Sequence, residues 1–270
     1  MLDIIKSRLA AQPKMDQTQK YNYLREYLQL VILKILDEKG YFRQIAFVGG
    51  TALRILYQLN RFSEDLDFSL VNEKEYSFRA IIHILKQELQ QRNLSVDLSC
   101  KDEKSVASSF IRFDKILYEL GLSSHRNQKL SIKFEVDQRP PLGYKTELTL
   151  LNNEFLISIN HYDLPSLFAG KLHAILHRPY AKGRDYYDLI WYLSRKVTPN
   201  YLLLNQAILQ TEKKSSNLNQ KSLKQLLLNK ITATDFKKIR RDVAPFLADG
   251  AEARFFEEDF FLKLIQSGLK

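Results

Sequence analysis

Cysteine is almost missing from this sequence: Cys100 is the only one in 270 residues, which excludes an internal disulfide framework and a cysteine-rich zinc site. Its expected place is that of a small apolar filler. Glycine and proline are sparse, at nine and seven, and no low-complexity tract interrupts the chain. Long apolar runs are absent as well. The longest, LQLVILKIL at 28–36, is too short and too interrupted to span a bilayer. The first residues, MLDIIKSRLAAQPKMD, lack the charged, apolar and small-residue succession of a secretory signal. Together these absences predict a cytoplasmic chain with no membrane segment.

What is present is a globular composition, 45% hydrophobic and 27% charged, with a net charge of +10 and a pI near 9.4. Such a balance favours acidic partners: nucleic acid, nucleotides or an anionic surface. The excess is uneven. Between 213 and 241 stand nine Lys and Arg, Lys237, Lys238, Arg240 and Arg241 among them, against the single acid Asp235. Such a stretch is either a solvated set of helix faces or a binding surface.

Periodicity orders the chain. Residues 17–39 repeat apolar side chains at helical spacing, through Tyr23, Tyr27, Leu30 and Val31, with Gly40 as the stop. IAFVGG reads as a strand entering a turn, TALRILYQLN as a helix and DLDFSL as a strand. Residues 77–91 return to helix. LSVDLSC, SSFIRFDKILYEL, KLSIKFEVD and EFLISIN are strand-like, and RPPLGY is a loop. From Pro165 the pattern is helical almost to the end. Strands early and helices late predict an α+β core at 1–198 and a basic helical domain at 199–270.

Two stretches carry chemistry. In FVGGTALRILYQLNRFSEDLDFSL, 47–70, Gly49 and Gly50 lie between a strand and a helix, where backbone can approach a ligand and the first helical turn offers unpaired N–H groups to an anion. Asp65 and Asp67 share one face of the following strand. Two facing carboxylates repel one another unless solvent or a cation lies between them, and their oxygens suit Mg²⁺ on a triphosphate. Lys133, Glu135 and Asp137 share one face of another strand, so either Glu135 or Asp137 can supply a third acid, or Lys133 and Glu135 form an ordinary pair. In FAGKLHAILHRPYAKGRDYYDLIWYL, 168–193, Lys171 flanks an apolar helix face, where it either snorkels to solvent or reaches a phosphate. Asp185 and Asp188 share a helix face, and Arg184 stands four residues before Asp188. A solvated, dipole-favoured helix start accounts for Asp185. His173 and His177 have the spacing of zinc ligands, but Ala174 stands where a glutamate base would be, so packed or exposed histidines are expected.

These two stretches together resemble the AbiEii/AbiGii nucleotidyltransferase toxin family, loosely over 20–250, with VAPFL at 243–247 also similar. The resemblance implies a DNA polymerase β-like core of mixed sheet and flanking helices, followed by a helical C-terminal part. It implies that Gly49, Gly50, Thr51 and Ser63 bind nucleotide with Lys171 and Arg184. Asp65, Asp67 and Glu135 would hold Mg²⁺ or Mn²⁺. Lys171 and Asp188 would act beside them, Asp188 orienting Lys171 or the base. The reaction implied is transfer of a nucleoside monophosphate from an NTP to an acceptor, foremost the 3′ end of a tRNA or other RNA. Lys237, Lys238, Arg240 and Arg241 would hold the RNA backbone, and a helix-turn-helix antitoxin would restrain the toxin. Two rival readings are nucleotidylation of a protein hydroxyl and a GTP-binding module that transfers nothing.

Overall fold

The computed structural model describes residues 1–102 and 104–269. The chain forms two compact units that interleave in sequence: Met1–Ala52, Phe62–Pro140 and Leu148–His161 make one, and Leu53–Arg61, Pro141–Glu147 and Tyr162–Lys270 the other. The division expected at 198/199 is sequential, whereas this partition groups the two helices before Ser194 with the helices after them. The physical reason is that those earlier helices pack on the later ones.

In chain order, α1 (Leu2–Ala10) and α2 (Gln17–Glu38) precede β1 (Ile45–Val48), which runs straight into α3 (Gly49–Tyr57), a helix whose first turn belongs to the first unit and whose residues from Leu53 onward belong to the second. Then come β2 (Leu66–Leu70), α4 (Phe78–Gln91), β3 (Val96–Leu98), β4 (Val106–Phe113), the single turn α5 (Ile116–Glu119), β5 (Leu130–Asp137), β6 (Thr146–Asn152) and β7 (Leu156–Tyr162). Among the described residues the strands form one mixed sheet in the order β3-β4-β5-β2-β1-β7-β6. β2 runs parallel to β5 and antiparallel to β1, and β4 runs antiparallel to β5. This central order sets the site, because it puts β2 beside β5 in register.

One face of the sheet is core. Phe68 lies between Phe47 and Phe134, ring centroids 5.3 and 4.9 Å away, and Phe78 of α4 reaches Phe134 at 6.1 Å. Each buried ring contributes roughly 1.5–3 kcal/mol by leaving water. The alternation along β5 is strict, with Leu130, Ile132, Phe134 and Val136 buried and Ser131, Lys133, Glu135 and Asp137 half-open, so a period of two sends every polar group of the strand to the other face. Helix α2 starts at a capping box between Asp16 and Gln19, which satisfies two orphan N–H groups. Its buried positions run round the helix and include the polar Arg25 and Gln29.

Three expectations are corrected here. The strand-like reading of 108–120 ends early: β4 stops at Phe113, Lys115 takes φ 59°, and α5 follows. TELTLLN forms β6, a strand that periodicity did not reveal. It lies at the sheet edge with Leu148 and Leu150 exposed, so its pattern carries little burial signal. Cys100 is exposed rather than filler, because it follows β3 at the other edge.

The second unit gathers α6 (Leu164–His177), α7 (Gly183–Ser194), α8 (Tyr201–Glu212), α9 (Gln220–Thr232), α10 (Phe236–Val243) and α11 (Glu258–Gly268). α6 packs on α7 and α8, and α7 packs on α10 and α11. Gly183 permits the closest of these approaches, since a Cβ there would stand 2.2 Å from the Ile239 carbonyl oxygen. Among the described residues no helix is long and apolar enough to cross a membrane.

Candidate active site

Register brings the acids of the first unit together. Asp67 on β2 pairs with Glu135 on β5, and Ser69 pairs with Asp137, so Glu135 is the acid beside Asp67 and Asp137 stands one side-chain step further on. Asp65 lies one residue before β2, half-buried like Asp67. The Lys133 ammonium bonds to Glu135 at 2.8 Å. Burial pulls the Lys133 pKa down, but the bond and the charges of Glu135, Asp65 and Asp67 outweigh it and hold the lysine above its usual value. One cation thus sits in the field of all three carboxylates. Burial pushes the Asp137 carboxyl up. Among the described residues no three His, Cys, Asp or Glu side chains are gathered as a ready-made metal cage.

The glycine corner serves this cluster directly. Gly49 has φ +79°, and a Cβ on it would stand 2.4 Å from Asp67 Oδ2. A side chain there is therefore excluded twice, by backbone conformation and by the carboxylate already filling the space. The approach to Asp67 is held from several sides. The buried Thr51 hydroxyl donates to the Asp65 carbonyl and pairs with the Ser63 hydroxyl at 2.8 Å. Gln29 Nε2 donates to the Ser63 carbonyl at 3.2 Å, and Arg25 bonds Glu64 at 3.0 Å. Sequence reasoning missed Arg25 and Gln29. Their signal was there, since both interrupt the buried apolar pattern of α2 at one-turn spacing.

The second stretch gathers separately, within the second unit. Lys171 Nζ lies 2.9 Å from Asp185 and 2.8 Å from Asp188, with its side chain 14% exposed. Arg61 grips Asp188 with both prongs, Nε to Oδ1 and Nη2 to Oδ2, each at 2.7 Å. Arg178 bonds the other oxygen of Asp185. Burial raises the Asp185 carboxyl, but Lys171 and Arg178 outweigh that and hold it below the usual range. Burial lowers Lys171, and Asp185 and Asp188 outweigh it in turn. Asp185 is therefore a buried ion partner, not the solvated helix start its position suggested. Arg61 was not foreseen, for nothing in the sequence pairs position 61 with 188.

Arg184 stacks its guanidinium over the Phe246 ring at 4.3 Å. On α10, Lys237, Lys238 and Arg241 are exposed while Ile239 and Val243 are buried. Arg240 is tied to the Phe256 carbonyl and to Glu257. His173 and His177 stack on each other, with Thr211 and Glu212 as hydrogen-bond partners. Burial, aided by His177, holds His173 down at about 4, as expected of packed histidines.

The architecture, a mixed sheet flanked by helices with more helices at the C-terminus, is that of nucleotidyltransferases. A putative nucleotidyltransferase from Helicobacter pylori superposes with a TM-score of 0.55 at 19% identity, over 90% of this chain and 92% of that one. JHP933, also from Helicobacter pylori, gives 0.54 at 19%, over 91% and 90%. The sequence matches the family described as nucleotidyl transferase AbiEii toxin, type IV toxin–antitoxin system, over residues 31–261. The chain belongs to that family. Membership implies an NTP substrate and an antitoxin partner. No curated protein matches it.

Proposed function

We propose that this protein is a toxin that transfers a nucleoside monophosphate from an NTP to the 3′-terminal hydroxyl of a tRNA or another small RNA, and so blocks translation in the cytoplasm. The observation that carries the reading is the register of Asp67 against Glu135, with Asp65 two residues before Asp67 and the Lys133 ammonium bonded to Glu135 in the field of Asp65 and Asp67. A cluster that gathers a cation from its own strand has the field and the oxygen donors that a divalent ion needs. Asp65, Asp67 and Glu135 would hold Mg²⁺ or Mn²⁺, with Lys133 swinging off Glu135. When bound, the metal supplies Lewis-acid stabilisation of the phosphate oxygens.

The chain's own groups do the rest. Gly49, Gly50 and the first turn of α3 present backbone N–H groups to the triphosphate, and Thr51 and Ser63 hold Asp65 in place. The acceptor oxygen attacks the α-phosphorus, and a new O–P bond forms as the bond to the β-phosphate bridging oxygen breaks. Pyrophosphate leaves with the electron pair, and the hydroxyl proton passes to Glu135. By the roles that family membership suggests, Lys171 and Arg184 would lend positive charge to the bound nucleotide, and Asp188, 2.8 Å from the Lys171 ammonium, would orient it. Lys237, Lys238, Arg240 and Arg241 bind RNA backbone in a salt-dependent way, and a helix-turn-helix antitoxin restrains the enzyme.

Incubation with cellular RNA, Mg²⁺ and each α-labelled NTP tests this. Label is expected on small RNA, to be lost in Asp67→Ala and Asp65→Ala. Ribonuclease-resistant label on protein would replace RNA by a protein acceptor. Tight GTP binding without pyrophosphate release would remove the enzyme altogether.

A further inference from the structure

Beside the carboxylates, the same half-open face of the sheet carries an exposed aromatic ring. Phe110 on β4 is 39% exposed and lies opposite Lys133 of β5, one side-chain step from the row in which Ser108 faces Glu135. The Arg112 guanidinium stands over its ring at 5.3 Å. On the other flank, an isolated bridge sets Lys101 opposite Ser108, so the exposed Lys101 belongs to the row of Ser108, Glu135 and Asp67. A large apolar ring left in water, surrounded by Lys101, Arg112 and Lys133, differs from the buried Ala107, Ser109 and Ile111 that alternate with it. Lys133 pairs with Glu135 at 2.8 Å and Arg112 with Asp97 at 3.7 Å, half-exposed pairs for which a phosphate can compete, whereas a neutral apolar partner would gain the ring and nothing from these cations. A nucleotide satisfies both, by stacking a base on the ring and setting phosphates among the cations.

We propose that Phe110 is the platform on which the 3′-terminal base of the RNA acceptor stacks. This rests on the transferase reading above and names how its acceptor is seated. Successive side chains on one face of a strand are about 7 Å apart, a span that one nucleoside covers from base to ribose hydroxyl. A base on Phe110 therefore delivers its hydroxyl to the row of Glu135 and Asp67. Lys101 and Arg112 then contact the last phosphates. Because every base has a stacking face, the platform is tolerant of base identity, and selection among RNAs falls to other contacts.

The test uses the full chain and a single-stranded oligoribonucleotide bearing 2-aminopurine at its 3′ end, with no NTP present, so that binding is read apart from transfer. Stacking quenches the probe. Wild type and the transfer-deficient Asp67→Ala variant are expected to quench it alike. Phe110→Trp should retain quenching, and Phe110→Ala should weaken binding by about fivefold to a hundredfold, the range for one lost base–aromatic stack. In transfer assays Phe110→Ala should raise the KM for RNA and leave that for NTP unchanged. Equal quenching by Phe110→Ala and wild type overturns the platform, as does a probe that no variant quenches, or label that goes to protein. Quenching that depends on Phe110 in a protein that transfers nothing sustains the platform and discards the transferase reading, so the two fail separately.

Discussion

Replacing Asp188 by asparagine keeps the shape of the side chain and deletes one of the two carboxylate charges facing Arg61, Lys171 and Arg178. Asp188 is 0% exposed and Arg61 1%, so water cannot take over the lost role. Arg61 would keep its position but lose the charge that both of its 2.7 Å bonds address. Removing one partner of a buried pair leaves an uncompensated charge and costs about 3–5 kcal/mol. For a chain of this size each kcal/mol moves the melting midpoint by about 2–4 °C, so Asp188→Asn should melt about 6–20 °C below the parent by calorimetry or circular dichroism. The double variant Arg61→Met, Asp188→Leu removes one charge of each sign and should be less damaged than its two single changes summed, because the buried pair is coupled. A midpoint within a degree or two of the parent, or strictly additive losses, would refute the claim that this network is a buried electrostatic unit. Transfer assayed well below the Asp188→Asn midpoint then shows whether Asp188 has any role besides holding Lys171 and Arg61.

Gly49→Ala should reduce transfer by about a hundredfold or more, since the new Cβ displaces the Asp67 carboxylate and sub-ångström placement governs such rates; near-parent rates would contradict the close approach. Thr51→Val, which removes the bonds to Ser63 and Asp65, should cost about 1–3 kcal/mol in urea unfolding and lower transfer as well. His173 binds its proton only near pH 4 when folded but near 6.5 when unfolded. The unfolded chain therefore takes up more protons between these values, and stability falls as pH drops from 6.5 to 4, by up to about 3 kcal/mol before screening. Glutamine at 173 should flatten that slope, and an unchanged slope would deny His173 the role. Changing Lys237, Lys238 and Arg241 to alanine should weaken RNA binding evenly across sequences and reduce the logarithmic salt slope by about 2.

Much of the fold could be read from periodicity, because burial on one face leaves a direct mark on residue order. The spacing of α2, the alternation in KLSIKFEVD and the run of late helices all had that mark. β6 did not, since an edge strand with exposed leucines lacks the contrast on which alternation depends. In SSFIRFDKILYEL the apolar residues persisted past the point where Lys115 turned the chain, so strand was expected where α5 forms.

For the site, the sequence by itself determined which side chains could take part: two aspartates on one strand face after a Gly-Gly corner, an acid and a lysine alternating on another strand, and a lysine followed by two aspartates on consecutive helices. Those relations lie within a few residues, where backbone geometry dictates direction. Only the tertiary structure decided that β2 lies parallel to β5 with Asp67 beside Glu135 rather than Asp137, that Arg61 closes on Asp188 across 127 positions, and that Lys133, bonded to Glu135, also lies in the field of Asp65 and Asp67. Strand register and buried ion pairing are set by which surfaces exclude water together, and that depends on the whole packed chain, not on any single segment.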